Sequence, residues 1–130
     1  MRTSVRLTII GVVSFVAIVV AAFSLYPTEA QAQDRYGAIA YSSSSGRYGY
    51  SYDFGSRSEA EDFARSKCAS GDCAIKVWFK NGCGALAVGR RGGTGWGWSS
   101  SRGAAESVAL NECSARTSGC NVRTWACTTR

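Results

Sequence analysis

The chain has 130 residues, a formal net charge of +6, six cysteines, a single proline and no histidine. That length suits one modest domain, and the missing histidine excludes Ser-His and Cys-His nucleophiles and removes the usual proton shuttle near neutral pH. The basic balance hints at anionic partners such as nucleic acid, phospholipid head groups or acidic glycans, but plain solubility is the reading preferred for a small secreted protein.

Arg2 and Arg6 precede an uncharged run from Leu7 to Phe23, and Ala30-Gln31-Ala32 supplies a small-x-small cleavage signature. Residues 1–32 therefore read as a signal peptide cleaved after Ala32. An uncleaved N-terminal anchor is the alternative, because with Ser24 to Tyr26 added the run nears the length that spans a bilayer. In either case the domain over residues 33–130 lies outside the cytoplasm, secreted or periplasmic. A membrane contact is expected only through an uncleaved leader. All six cysteines fall in this domain and read as three disulfides in an oxidising compartment. With no Cys-x-x-Cys pair and no histidine, no metal and no cofactor are expected.

Gly37 to Tyr41 is a short apolar stretch that predicts a buried strand, followed by a turn at Ser42 to Gly46. Tyr48, Tyr50 and Tyr52 alternate with Gly49 and Ser51, which puts three rings on one face of a second strand. Ser58-Glu59-Ala60-Glu61 predicts a capping box, with Ala60, Phe63, Ala64 and Cys68 on the inner face of the helix that follows. Ile75 to Phe79 predicts a third strand, with Ile75, Val77 and Phe79 alternating against Lys76, Trp78 and Lys80.

This plan then recurs at an offset of about 46 residues, the mark of an internal duplication. Gly37-Ala38-Ile39-Ala40 returns as Gly84-Ala85-Leu86-Ala87, and Gly49-Tyr50-Ser51-Tyr52 as Gly95-Trp96-Gly97-Trp98. Ser56-Arg57, Ala60, Glu61, Ala64 and Cys68 return as Ser101-Arg102, Ala105, Glu106, Ala109 and Cys113. Val77-Trp78 returns as Thr124-Trp125. The second copy is expected to have a turn at Gly89 to Gly93, Gly103 at the N-cap, Val108 on the inner helix face and a last strand from Asn121 to Cys127. The fold class is α+β: duplicated ββαβ units with pseudo-twofold symmetry, two helices against a mostly antiparallel sheet. The repeat also selects a cysteine pairing. Cys68–Cys73 and Cys113–Cys120 close equivalent helix-to-strand turns, which leaves Cys83 for Cys127.

Ser-Lys catalysis would require Lys67, Lys76 or Lys80 buried beside a serine, and none sits in a Ser-x-x-Lys motif. Glu59, Glu61, Asp62, Glu106 and Glu112 fall on outward or capping helix positions, a poor start for a glycosidase pair. A non-enzymatic protein is the expectation, with a hydrolase the weakest reading. Candidate binding residues are Tyr48, Tyr50, Tyr52, Trp96 and Trp98, whose rings form either a recognition platform or the buried face of the sheet. Arg90 and Arg91, among the glycines of Gly89 to Gly93, form either an anion-contacting loop or a solvated hairpin tip. Arg47 lies near the equivalent turn. Two functions follow: a binding module for a protein or cell-envelope component, or a secreted enzyme inhibitor or host-directed effector using the Gly89 to Thr94 loop. No specific nucleic-acid partner is expected.

The stretches Tyr36 to Tyr41, Gly49 to Tyr52, Ser58 to Cys68, Val77 to Val88 and Gly95 to Trp98 resemble the exported bacterial family catalogued as domain of unknown function 4189. The likeness covers essentially the whole of residues 33–130, and the Cys83-Gly84-Ala85-Leu86-Ala87 run, the second helix and the terminal Trp125-Ala126-Cys127 are its specific parts. The resemblance implies a small duplicated ββαβ domain with disulfides, found among secreted proteins of host-associated bacteria including mycobacteria. It implies no catalytic or ligand-binding residues.

Overall fold

The computed structural model describes residues 32–129, so the leader expected over residues 1–32 lies outside them but for Ala32. The described chain runs β1 (Tyr36–Tyr41), β2 (Tyr48–Phe54), α1 (Arg57–Cys68), β3 (Ala74–Lys80) and β4 (Cys83–Val88). A 3-10 turn at Arg90–Gly92 then leads to β5 (Thr94–Ser99), α2 (Arg102–Ser114) and β6 (Asn121–Cys127). Two successive ββαβ repeats make up an α+β domain.

In place of one sheet there are two, each three-stranded and antiparallel, ordered β2-β1-β3 and β5-β4-β6. The cause lies in β1 and β4, which are apolar on both faces. Ala38 and Ala40 meet α1, and Cys83, Ala85 and Ala87 meet α2. On their other faces Ile39, Tyr41 and Leu86 join Val77, Phe79 and Ala126 in a core shared by both repeats. A strand buried on both faces needs a neighbour along each edge and a layer above and below. Each takes its edge partners from its own repeat, and the two sheets then stack. β1 lies over β4, β2 over β6 and β3 over β5, with a helix outside each sheet.

The buried residues of the helices are alanine and cysteine alone: Ala60, Ala64 and Cys68 in α1, and Ala105, Ala109 and Cys113 in α2. Phe63 and Val108, expected on these inner faces, are 39% and 41% exposed. Two glycines explain the difference. A Cβ on Gly49 would overlap the Ala64 carbonyl, and one on Gly95 would overlap the Ala109 carbonyl and the Cys113 amide. Helix and strand backbones run too close for anything larger than a methyl group, so bulkier side chains move to the flanks. There Phe63 meets Phe54 at 5.0 Å.

Three further expectations are corrected by local geometry. The N-caps are Ser56 and Ser101, not Ser58 and Gly103, because the backbone is extended at those earlier serines and helical after them. Their hydroxyls accept from the amides of Glu59 at 3.2 Å and Ala104 at 3.3 Å. Glu61 does not close a capping box and pairs instead with Arg57 at 2.6 Å. In β3 a register shift opposite Ile39 and Ala40 turns Ile75 toward α1, leaving Val77 and Phe79 in the inter-sheet core. β6 carries the same shift opposite Leu86 and Ala87. Disulfides Cys68–Cys73 and Cys113–Cys120 close the two helix-to-strand turns, and Cys83–Cys127 ties β4 to β6.

Candidate recognition surface

The residues that recur between the repeats build scaffold. In the first repeat the Arg57 guanidinium lies 4.4 Å from the centre of the Trp78 ring and is held by Glu61. In the second, Arg102 lies 3.8 Å from the Trp125 ring and is held by Glu106 at 2.5 Å. Each arrangement ties the first turn of a helix to the last strand of its own repeat, by a cation–π contact worth about 0.5–1 kcal/mol at an exposed site.

The candidate aromatic residues separate into two groups. Because Gly49 and Ser51 face α1, Tyr48, Tyr50 and Tyr52 point to the opposite side of the sheet, over β6. The small residues between the rings thus serve the approach of the helix, with Ser51 Oγ donating to the Ala60 carbonyl at 2.7 Å. The three rings are 39%, 44% and 49% exposed and line an open groove of about 560 Å3 with Arg123, Thr124 and Trp125. Trp96 and Trp98 lie on β5, which faces β3 at the other lateral edge of the stacked sheets, so no single platform joins all five rings. Trp96 packs against the shared core, with Lys76 at 5.5 Å and Arg116 at 4.7 Å from its ring centre. Trp98 is 68% exposed.

Around Tyr48 the structure assembles a basic pocket that sequence spacing did not show. Its volume is about 440 Å3, and Arg47, Lys67 and Arg123 line it together with Tyr48, Gly46 and Ala69. Arg47 donates to the Ala69 carbonyl at 3.0 Å and Arg123 to the Gly46 carbonyl at 3.2 Å. Arg123 also lies 5.7 Å from the centre of the Tyr48 ring. Its one sequence signal is its place in the repeat, where it matches Lys76, the residue that reaches across to Trp96.

The turn carrying Arg90 and Arg91 is pinned rather than a free hairpin tip. The Arg90 amide donates to the Ser118 carbonyl at 2.9 Å, and its carbonyl accepts from Thr117 Oγ1 at 2.9 Å. Both arginines are exposed, but neither lines the tyrosine groove. The equivalent Ser42 to Ser45 turn is pinned differently. Ser42 and Ser44 each donate to Asp72 at 2.6 Å and Ser70 donates at 2.8 Å, and these bonds hold the Asp72 carboxyl well below the usual carboxylate range. Asp34 is also held low, first by its bond from Asn81 and then by Lys80.

The chain matches the family described as Domain of unknown function (DUF4189) over residues 36–127. It is 36% identical over 98 residues to Protein Rv1269c and Protein MT1307 of Mycobacterium tuberculosis and to Protein Mb1300c of Mycobacterium bovis, covering 75% of this chain and 73% of each relative. The NMR structure of Rv1813c from Mycobacterium tuberculosis is similar at a TM-score of 0.56 and 32% identity, over 78% of this chain and 79% of that one. With its two ββαβ repeats and three disulfides, the chain belongs to the DUF4189 family.

Proposed function

We propose that the protein is an exported, non-catalytic binding domain that recognises a protein or cell-envelope component through the tyrosine face of β2. The observation that carries this is the exposure of Tyr48, Tyr50 and Tyr52 along one open groove, while Trp96 at the position equivalent to Tyr50 is partly buried against the core. Half-exposed tyrosines offer a rigid apolar area with a polar tip, the chemistry favoured at recognition surfaces. Three disulfides support an oxidising location outside the cytoplasm, and secretion or a periplasmic site is the reading we adopt. A non-enzymatic role is supported by how the carboxylates are used. Glu61 and Glu106 are engaged by arginines, and Asp34 and Asp72 are held low, the direction opposite to that of a general acid. We also read a pseudo-twofold axis between β1 and β4, supported by the matching strand orders and by cations that cross between the sheets in both directions, Lys76 of β3 over a ring of β5 and Arg123 of β6 over a ring of β2.

The test is crosslinking capture from envelope extracts with residues 33–130 and with a variant carrying Tyr48→Ala, Tyr50→Ala and Tyr52→Ala. Specific capture by the parent and its loss in a variant that still melts cooperatively is the expected outcome. Capture that persists in the folded variant overturns the tyrosine face as the surface.

A further inference from the structure

Most of the arginines outside the two β-turns have acidic partners. Arg57, Arg65, Arg102 and Arg116 each lie within ion-pair distance of a glutamate or aspartate. Arg47, Lys67 and Arg123 are different: among the described residues none makes an ion pair, and no acidic residue lines the pocket they share. They come from the β1–β2 turn, the last turn of α1 and the register shift of β6. Two of them are already oriented, since single guanidinium nitrogens of Arg47 and Arg123 are fixed on the Ala69 and Gly46 carbonyls. Each guanidinium has five N–H donors, so most remain for a ligand. Three like charges gathered without a counter-ion repel one another, and a bound anion relieves that repulsion.

The pocket is continuous with the tyrosine groove, because Tyr48 and Arg123 line both. A ligand filling the two together therefore carries an anionic group at one end and a flat, partly apolar body at the other. Three cations favour a phosphate monoester, at about −1.5 to −2 near neutral pH, over a single carboxylate. The body that suits half-exposed tyrosine rings with polar tips is a sugar ring, whose C–H face stacks while its hydroxyls stay wet.

Resting on the tyrosine-face reading above, we propose that Arg47, Lys67 and Arg123 form a phosphate subsite and that the groove takes a phosphorylated sugar, free or within an envelope glycan. The phosphate sits among the three cations, and the sugar lies along Tyr48 toward Tyr50.

NMR titration of residues 33–130 with inorganic phosphate, glucose 6-phosphate and glucose tests this. Saturable shifts of the amides of residues 45–48, 67–69 and 123 are expected with phosphate, with binding about tenfold tighter for glucose 6-phosphate and none for glucose. Arg47→Gln with Arg123→Gln should weaken phosphate binding by about tenfold or more. Lys67→Gln, a change on an exposed helix face, gives an independent loss if the double variant melts early. A phosphomonoester-bearing polysaccharide competing with glucose 6-phosphate marks a glycan source, and competition by the free sugar phosphate alone marks a small metabolite. Shifts that do not saturate, or that persist unchanged in the folded variants, overturn the subsite. If phosphate binds normally but glucose 6-phosphate gains nothing, and the triple tyrosine variant behaves as the parent, the tyrosine face fails and only the anion pocket stands.

Discussion

Tyr50 and Trp96 occupy equivalent strands, follow equivalent glycines and face the same inter-sheet side, yet Tyr50 is 44% exposed while Trp96 is partly buried against the core. The neighbours explain the difference. Arg116, in the turn just after α2, lies over Trp96 and donates to the Thr94 carbonyl at 3.1 Å, which closes that side of β5. The first repeat has Ala69 or Ser70 in the corresponding part of its turn, so that turn supplies no guanidinium to cover Tyr50. What the repeats share, the glycine approach, the Ser N-cap and the Arg-Trp-Glu arrangement, is scaffold. What they do not share is the tyrosine face and its basic pocket.

The largest effect that separates scaffold from surface should come from the disulfides. Cys83–Cys127 closes a loop with a sequence separation of 44 and Cys68–Cys73 one of 5. On chain entropy, Cys127→Ser should cost about 4 kcal/mol and Cys73→Ser about 2 kcal/mol in urea denaturation. Equal losses would show that the second repeat does not depend on its long closure. Next in size, Gly49→Val and Gly95→Val should each cost about 3 kcal/mol, because both press a side chain into a helix backbone. A large loss in one repeat alone would break their equivalence.

The smallest effect is one of pH. The folded carboxyl of Asp72 titrates below its unfolded range near pH 4, so the Ser42 and Ser44 bonds stabilise fully above that range. Their contribution fades as pH falls below it. The second turn is pinned by Ser118 and Thr117 instead, with no carboxylate. Asp72→Asn should therefore flatten the acid side of the stability profile and expose the β1–β2 turn to hydrogen exchange at neutral pH. An unchanged acid profile would remove Asp72 from this role.

Much of this was legible in the sequence, because repetition marks equivalent elements. The ββαβ order and the cysteine pairing follow from aligning Cys68, Cys73, Cys113 and Cys120. Two sheets rather than one were hidden because Ala38-Ile39-Ala40 reads as simply apolar, and only packing shows that its two faces meet different layers. The helix faces were misjudged at Phe63 and Val108 because helical spacing carries no information on how closely a glycine lets a strand approach. Of the candidate site, the tyrosine alternation was visible. Lys67 and Arg123 were not, since the close packing of the first helix on β2 brings Lys67 beside Tyr48, and only the stacking of the two sheets brings Arg123 there.

The most direct measurement compares Tyr50→Ala with Trp96→Ala by equilibrium unfolding. If the duplicated positions have diverged into a surface ring and a core ring, Tyr50→Ala should cost about 1 kcal/mol or less and Trp96→Ala about 3 kcal/mol. Equal losses at the two positions would contradict that division and, with it, the placing of recognition on the first repeat.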